Sequence, residues 1–189
     1  MSFNNIHKFL GETLDPSLGI KLETSAITEL VLFDLNDFTA SPYVIISPTG
    51  NSATISQNSL SSFVFLEHNP VFDPVQIIPR VGLSLEFDFN FVKETGKNDE
   101  FGAFLLNQLG VPIGLVFEFF TKSSSKGTVS FDLSSLSPDP VGLVFVLTDF
   151  NSVGDLHSSS VEITNVRLVS KGVPTTEPAR LISNRILTN

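Results

Sequence analysis

Apolar and polar residues alternate without a break over residues 83–91. Leu83, Leu85, Phe87, Phe89 and Phe91 share one phase, and Ser84, Glu86, Asp88 and Asn90 share the other. Successive side chains of a strand point to opposite faces, whereas a helix would spread the same residues around its circumference. The pattern therefore predicts a strand with one dry and one wet face. Val129, Phe131 and Leu133 alternate in the same way with Ser130, Asp132 and Ser134. Further strands are predicted over 25–33, 43–47, 53–56, 62–66, 101–107, 113–121, 141–148 and 161–169. Turn and loop signals separate them at 34–37, 48–51, 68–74, 93–99, 109–112, 122–127 and 149–159, where Gly, Pro, Asn, Asp and Ser gather. The 141–148 segment is apolar on both sides, as expected of a central strand covered on both faces. In 161–169, Val161 and Ile163 hold one phase and Val166 and Leu168 the other. Either Asn165 marks a bulge or both faces are covered there.

About nine short strands, no long helical pattern and no fixed-period repeat make the chain all-β, an antiparallel β-sandwich or barrel. Eighteen phenylalanines, recurring on the inward phase of several strands, call for two sheets packed face to face at about 10 Å. The organisation expected is a leader segment at 1–22, one sandwich domain at 23–170 and a C-terminal tail at 171–189. Both terminal segments carry apolar residues: Ile6, Phe9 and Leu10 in the first, Leu181, Ile182 and Ile186 in the second. Such a segment folds back on its own domain or docks on a neighbouring subunit by strand addition.

Charge narrows the partners. The chain of 189 residues carries a formal net charge of −9, and its charged residues make up only 16%. Phosphate neutralisation needs clustered Lys and Arg, so nucleic acid and anionic membrane surfaces are disfavoured. Ser, Thr, Asn and Gly hydrate the surface instead, a composition common in secreted β-proteins. Without cysteine, disulfides, thiolate catalysis and Cys-ligated zinc are excluded. Residues 1–10 show no basic region followed by an apolar stretch, so no signal peptide is read, and no run has the length of a membrane span.

The residues that could carry chemistry are few. His7, His68 and His157 lie far apart, none with a second His at ligand spacing, and are expected as solvated loop residues. No Gly-x-Ser-x-Gly is present. A glycosidase needs only two carboxylates across a cleft, so Glu86, Asp88 and Glu118 are weighed for that role. Glu86 and Asp88 read better as solvent-facing acids that discourage edge pairing. Glu118, between Phe117 and Phe119, reads as lying on an exposed strand phase. Asp149, Asn151 and Asp155 offer hard oxygen ligands around Gly154, a possible calcium loop, with an Asx-type turn as the plainer alternative. The acids at 34–37 and 98–100 form weaker clusters. With no Trp and one Tyr, a flat Trp-lined sugar-binding face is not expected.

Six phrases, in order and spacing, resemble a jelly-roll module of bacterial secreted proteins, many of which carry PEP-CTERM sorting signals. They are Gly-Asn-Ser-Ala-Thr-Ile-Ser at 50–56, the alternating strand at 83–91, Asn-Asp-Glu-Phe-Gly-Ala-Phe-Leu-Leu at 98–106, Val-Ser-Phe-Asp-Leu-Ser-Ser-Leu at 129–136, Val-Gly-Leu-Val-Phe-Val-Leu-Thr-Asp at 141–149 and Val-Glu-Ile-Thr-Asn-Val-Arg-Leu at 161–168. Thr164 stands where the family often has Asp. The resemblance covers about residues 25–169 and implies a jelly-roll sandwich like galactose-binding and carbohydrate-binding modules, with no catalytic residue. The first functional reading is a non-catalytic extracellular or cell-surface module acting in surface structure, adhesion or assembly. The second is a calcium-assisted, lectin-like carbohydrate-binding module. The third is a glycan-active enzyme using Glu118 or Glu86. The partners expected are a glycan, or a second copy held through the terminal segments.

Overall fold

A computed structural model describes residues 27–57, 61–150 and 159–171. These residues contain eleven strands. They are β1 Ile27–Leu32, β2 Thr39–Ala40, β3 Val44–Ile46, β4 Ser52–Ser56, β5 Phe63–His68, β6 Leu83–Val92, β7 Glu100–Leu106, β8 Glu118–Thr121, β9 Ser125–Asp132, β10 Gly142–Thr148 and β11 Ser160–Lys171. All observed pairings are antiparallel. One sheet runs β3-β4-β11-β6-β9, with β1 also on β11, and the other runs β2-β5-β10-β7-β8. From β6 onward the chain passes repeatedly between the two sheets, as a jelly roll does. The all-β sandwich expected from the period-two pattern is the architecture found.

The inward phase of the alternating strand forms the core. Phe87, Phe91, Phe101 and Phe145 are fully buried. Phe87 of β6 meets Phe145 of β10 edge to face at 4.9 Å, and Phe89 meets Phe101 of β7 at 5.6 Å. These ring pairs join the two sheets across the dry interior. Each buried phenyl contributes roughly 1.5–3 kcal/mol and brings no polar atom to satisfy.

Three elements differ from the sequence reading. The 113–121 segment is a strand only at Glu118–Thr121, because Gly114, at φ 135, opens a single 3-10 turn over Leu115–Phe117. The predicted loop at 122–127 is shorter than expected: a tight turn over residues 122–124 carries the chain from the five-stranded sheet to the six-stranded one, and β9 begins at Ser125. The 141–148 strand is central but covered on one face only. Its second phase, Val144 and Val146, remains half-exposed among the described residues.

Asn165 is the bulge. It has φ 53, and the register of β11 with β6 shifts between Thr164 and Arg167. Before the shift β11 pairs with β4, and from Arg167 onward it pairs with β1, so the bulge lets two strands share one edge. Ile27 and Lys171 are paired in that ladder, so the chain enters and leaves the sandwich side by side.

Candidate functional site

The apolar residues of β5, β10, β7 and β8 do not all enter the core. In register across the five-stranded sheet, Phe65, Val146, Gly102 and Phe120 form one outward row. Glu67, Val144, Phe104 and Glu118 form the next, with Thr39 beyond Glu67. Phe63, Thr148 and Glu100 form a third. Phe63 and Phe120 are 53% and 47% exposed, and Phe65 and Phe104 are half-buried. The outer face is therefore an apolar strip with two phenylalanine pairs at its sides, a valine floor between them and carboxylates at its margins.

Glycine shapes one side of this strip. A Cβ on Gly102 would stand 3.1 Å from the rings of Phe104 and Phe120. Its absence lets those rings close over the strand edge to face, with centroids 4.9 Å apart and planes at 79°. Phe63 and Phe65 make the second pair at 6.3 Å. With strands about 4.8 Å apart, three steps put Phe65 and Phe120 about 14 Å apart along the row. Burial, then the charge of Asp73, pushes the Glu67 carboxyl above the usual range.

At the end where β7 begins, a recess of about 250 Å³ adjoins this face, lined by Lys93, Asn98, Lys122 and Phe150. Lys122 pairs with Glu100 at 3.0 Å. On the six-stranded sheet a wider depression of about 480 Å³ has polar walls: Asp88, Asn90, Lys126, Thr128, Glu162 and Thr164.

The acids singled out in the sequence take different places. Glu86 and Asp88 are not edge-strand guards, because β6 is an inner strand of its sheet. Both sit in a polar ladder. Arg167 donates to Glu86 at 3.0 Å, Ser130 donates to Glu86 at 3.2 Å, and Thr128 and Asn165 donate to Asp88 at 2.5 and 2.8 Å. Burial alone would raise the Asp88 carboxyl. The bonds from Thr128 and Asn165 and the charge of Arg167 outweigh it and hold that carboxyl below its ordinary value. Glu118 does lie on the outward phase, beside Phe104.

His68 corrects its expectation. It closes β5 on the inward phase, is 1% exposed, and packs edge-on against Phe33 and Phe38. Its Nε2 donates to the Val75 carbonyl at 2.6 Å, and Nδ1 finds no partner. His7 and His157 lie outside the described residues.

Of the proposed calcium ligands, Asp149 is buried at the end of β10, and its backbone N–H donates to the Ser62 carbonyl at 2.8 Å. Asn151 and Asp155 lie outside the described residues, as do the terminal segments considered for self-association. Among the described residues no three His, Asp or Glu side chains gather as a metal ligand set. The 34–37 cluster is a capped turn, with Asp34 accepting from the Asn36 backbone at 2.9 Å. In the 98–100 cluster, buried Asp99 accepts a short bond from Ser159.

No protein-family model matches the chain, and no curated protein matches it. Solved structures do. The chain is similar to TmCBM27, a carbohydrate-binding module studied for specific mannan recognition, at 13% identity and a TM-score of 0.41, over 79% of this chain and 91% of that one. It is similar to TmCBM61, solved in complex with beta-1,4-galactotriose, at 8% identity and a TM-score of 0.40, over 78% and 90%. A CBM4 structure is similar at 12% identity and a TM-score of 0.39, over 71% and 78%.

The aromatic strip is the feature that sequence reading missed. Phe63 and Phe65 flank Val64, and Phe104 and Phe120 sit in segments apolar on both sides. Two-sided apolar strands were the available signal, and they read equally as a doubly covered centre.

Proposed function

We propose that this chain is a non-catalytic glycan-binding module that takes an oligosaccharide across the outer face of its five-stranded sheet. The observation that carries this reading is the pair of phenylalanine pairs, Phe63–Phe65 and Phe104–Phe120, standing on the solvent side of a strand floor. A sugar ring has an apolar face of C–H groups and a rim of hydroxyls. Phenyl rings supply area for the first at little entropic cost. Glu67, Glu100, Glu118 and Thr148 border the strip with acceptors for the second. A chain of net charge −9 offers little to a phosphate polymer, whereas a sugar hydroxyl needs acceptors more than cations.

The lectin-like reading thus stands ahead of a purely structural surface role. Adhesion of an exported protein to polysaccharide is the use it would serve, in keeping with the Ser/Thr-rich surface and the resemblance to secreted bacterial modules. The non-catalytic part is supported by the spacing of the acids on the strip. Glu67 and Glu118 lie three strand steps apart, about 14 Å between their Cα atoms, against carboxyl separations of about 5–9.5 Å in glycosidases.

The test is a glycan array spanning plant, algal and bacterial polysaccharides, run with wild type and Phe120→Ala. Binding by the wild type that is lost in Phe120→Ala, with the unfolding midpoint little moved, supports the reading. Silence across all three glycan classes sinks it.

A further inference from the structure

The recess at the β7 end of the aromatic strip has a chemistry of its own. Phe150, two residues beyond the outward-facing Thr148, is 62% exposed. Lys93 is half-buried and held in place, its backbone N–H donating to Ser124 Oγ at 2.9 Å and its ammonium to the Lys122 carbonyl at 2.8 Å. No neighbour among the described residues forms an ion pair with it. Glu100 is engaged by Lys122 at 3.0 Å, Asp99 is buried against Ser159, and Asp149 is buried at the end of β10. The chain has 20 acidic residues and 11 Lys and Arg. Within it, an ammonium that pairs with no carboxylate among the described residues and is set beside an exposed phenyl ring is a place prepared for an anion.

We propose that this recess receives an anionic substituent of the bound glycan, a carboxylate or a sulfate ester, with Lys93 donating to its oxygens and Phe150 stacking on the sugar that carries it. The ammonium has three donors, of which one is used, so two remain for the incoming oxygens. A hydrogen bond between an ammonium and an anionic oxygen is charge-assisted, shorter and stronger than one between neutral groups. The proposal rests on the glycan-binding reading and names the substrate class, an acidic polysaccharide. Continuity favours it: Glu100, the partner of Lys122, belongs to the outward row that contains Phe63 and Thr148.

Two matched pairs of polymers test it on the full chain by affinity electrophoresis and calorimetry: polygalacturonate with its carboxyl-reduced form, and a sulfated galactan with its desulfated form. An anionic member should bind about tenfold more tightly than its neutral partner at low salt, a preference that shrinks as salt rises. The pair that shows the preference separates carboxylate from sulfate. Lys93→Gln should erase the preference, whereas Lys93→Arg, which keeps the charge, should retain it. Phe120→Ala should weaken both members of the pair alike. Equal binding within both pairs, or a preference that survives Lys93→Gln, overturns the anionic subsite and leaves glycan binding standing. Binding to none of the four polymers also overturns the subsite, and glycan binding itself falls only if the array is silent as well.

Discussion

Asn165 breaks the register of β11 and, through Nδ2, donates a 2.8 Å hydrogen bond to Asp88 Oδ2 on neighbouring β6. One residue therefore both bends the strand and ties it down. Its φ of 53 lies in the left-handed region, which Asn tolerates better than most residues. Asn165→Ala should lose the bond and strain the backbone, costing about 1–2 kcal/mol. Asn165→Gly should lose the bond alone and cost less. Urea unfolding of the two variants reads the difference, and an alanine variant as stable as the glycine variant would remove the backbone part of this account.

Gly50 is fixed by a neighbouring side chain as well as by its own turn. A Cβ there would stand 1.6 Å from Asp34 Oδ1, at a φ of +66. The Gly50 carbonyl also accepts the Leu35 N–H at 2.7 Å, so the loop before β4 is bound to the turn after β1. Gly50→Ala should destabilise by about 2 kcal/mol or more. Asp34→Ala relieves the overlap but not the backbone strain. The double variant should consequently cost less than the sum of the singles and more than Asp34→Ala alone. Strict additivity would show that Asp34 is not the obstacle.

Acid should weaken the fold through two kinds of group. Burial holds His68 below its ordinary pKa, against the raising influence of the Val75 hydrogen bond and of Asp73. Between its folded and unfolded values the unfolded chain binds more protons, so stability is complete above about pH 6.5 and falls below it. Asp88 and Asp132 are held low, Asp132 by its bonds from Ser134, so their contribution is present above about pH 4 and is lost as pH drops through their folded values. Glu67, raised by burial and by Asp73, acts in the opposite sense as pH rises above about 4.5. The His68 part is isolated by His68→Phe, which should flatten the profile just below about pH 6.5 and leave the carboxylate part in place. A variant profile parallel to wild type would remove His68 as the source.

Much of the fold is legible in the sequence because one face of β6, β9 and β11 is dry and the other wet, and a period of two admits one structure. The bulge at Asn165 is legible for the same reason, as a change of phase between Ile163 and Val166. The aromatic strip is not, because Val144 and Val146 are as apolar as Leu143 and Phe145. Only the register of β10 with β5 and β7 shows that they join Phe65 and Phe104 on the outside. The burial of His68 was hidden by its position: a strand's last residue followed by Asn69 and Pro70 reads as loop. Its inward phase is decided by Phe33 and Phe38, about thirty residues upstream. Lys93 and Lys122 are 29 residues apart and meet only through the pairing of their strands' neighbours.

Calcium remains a separable proposal, placed on Asp149, Asn151 and Asp155. Hard cations favour carboxylate and amide oxygens gathered on one loop, and Asp149 brings a buried carboxylate to the end of β10, where an ion would be shielded from water. A cation bound only by the folded chain stabilises it by mass action, by about 2.7 kcal/mol at a hundredfold excess over Kd. Millimolar calcium should therefore raise the unfolding midpoint, and chelator should return it. Asp149→Ala can weaken the fold for reasons of packing alone, so Asp155→Asn supplies the sharper control, expected to remove the calcium shift while leaving the calcium-free midpoint in place. Repeating the glycan array in calcium and in chelator then separates two roles. A site that only braces the loop changes the midpoint and not the binding, whereas one that holds the sugar changes both. An identical midpoint in calcium and chelator eliminates the loop as a cation site.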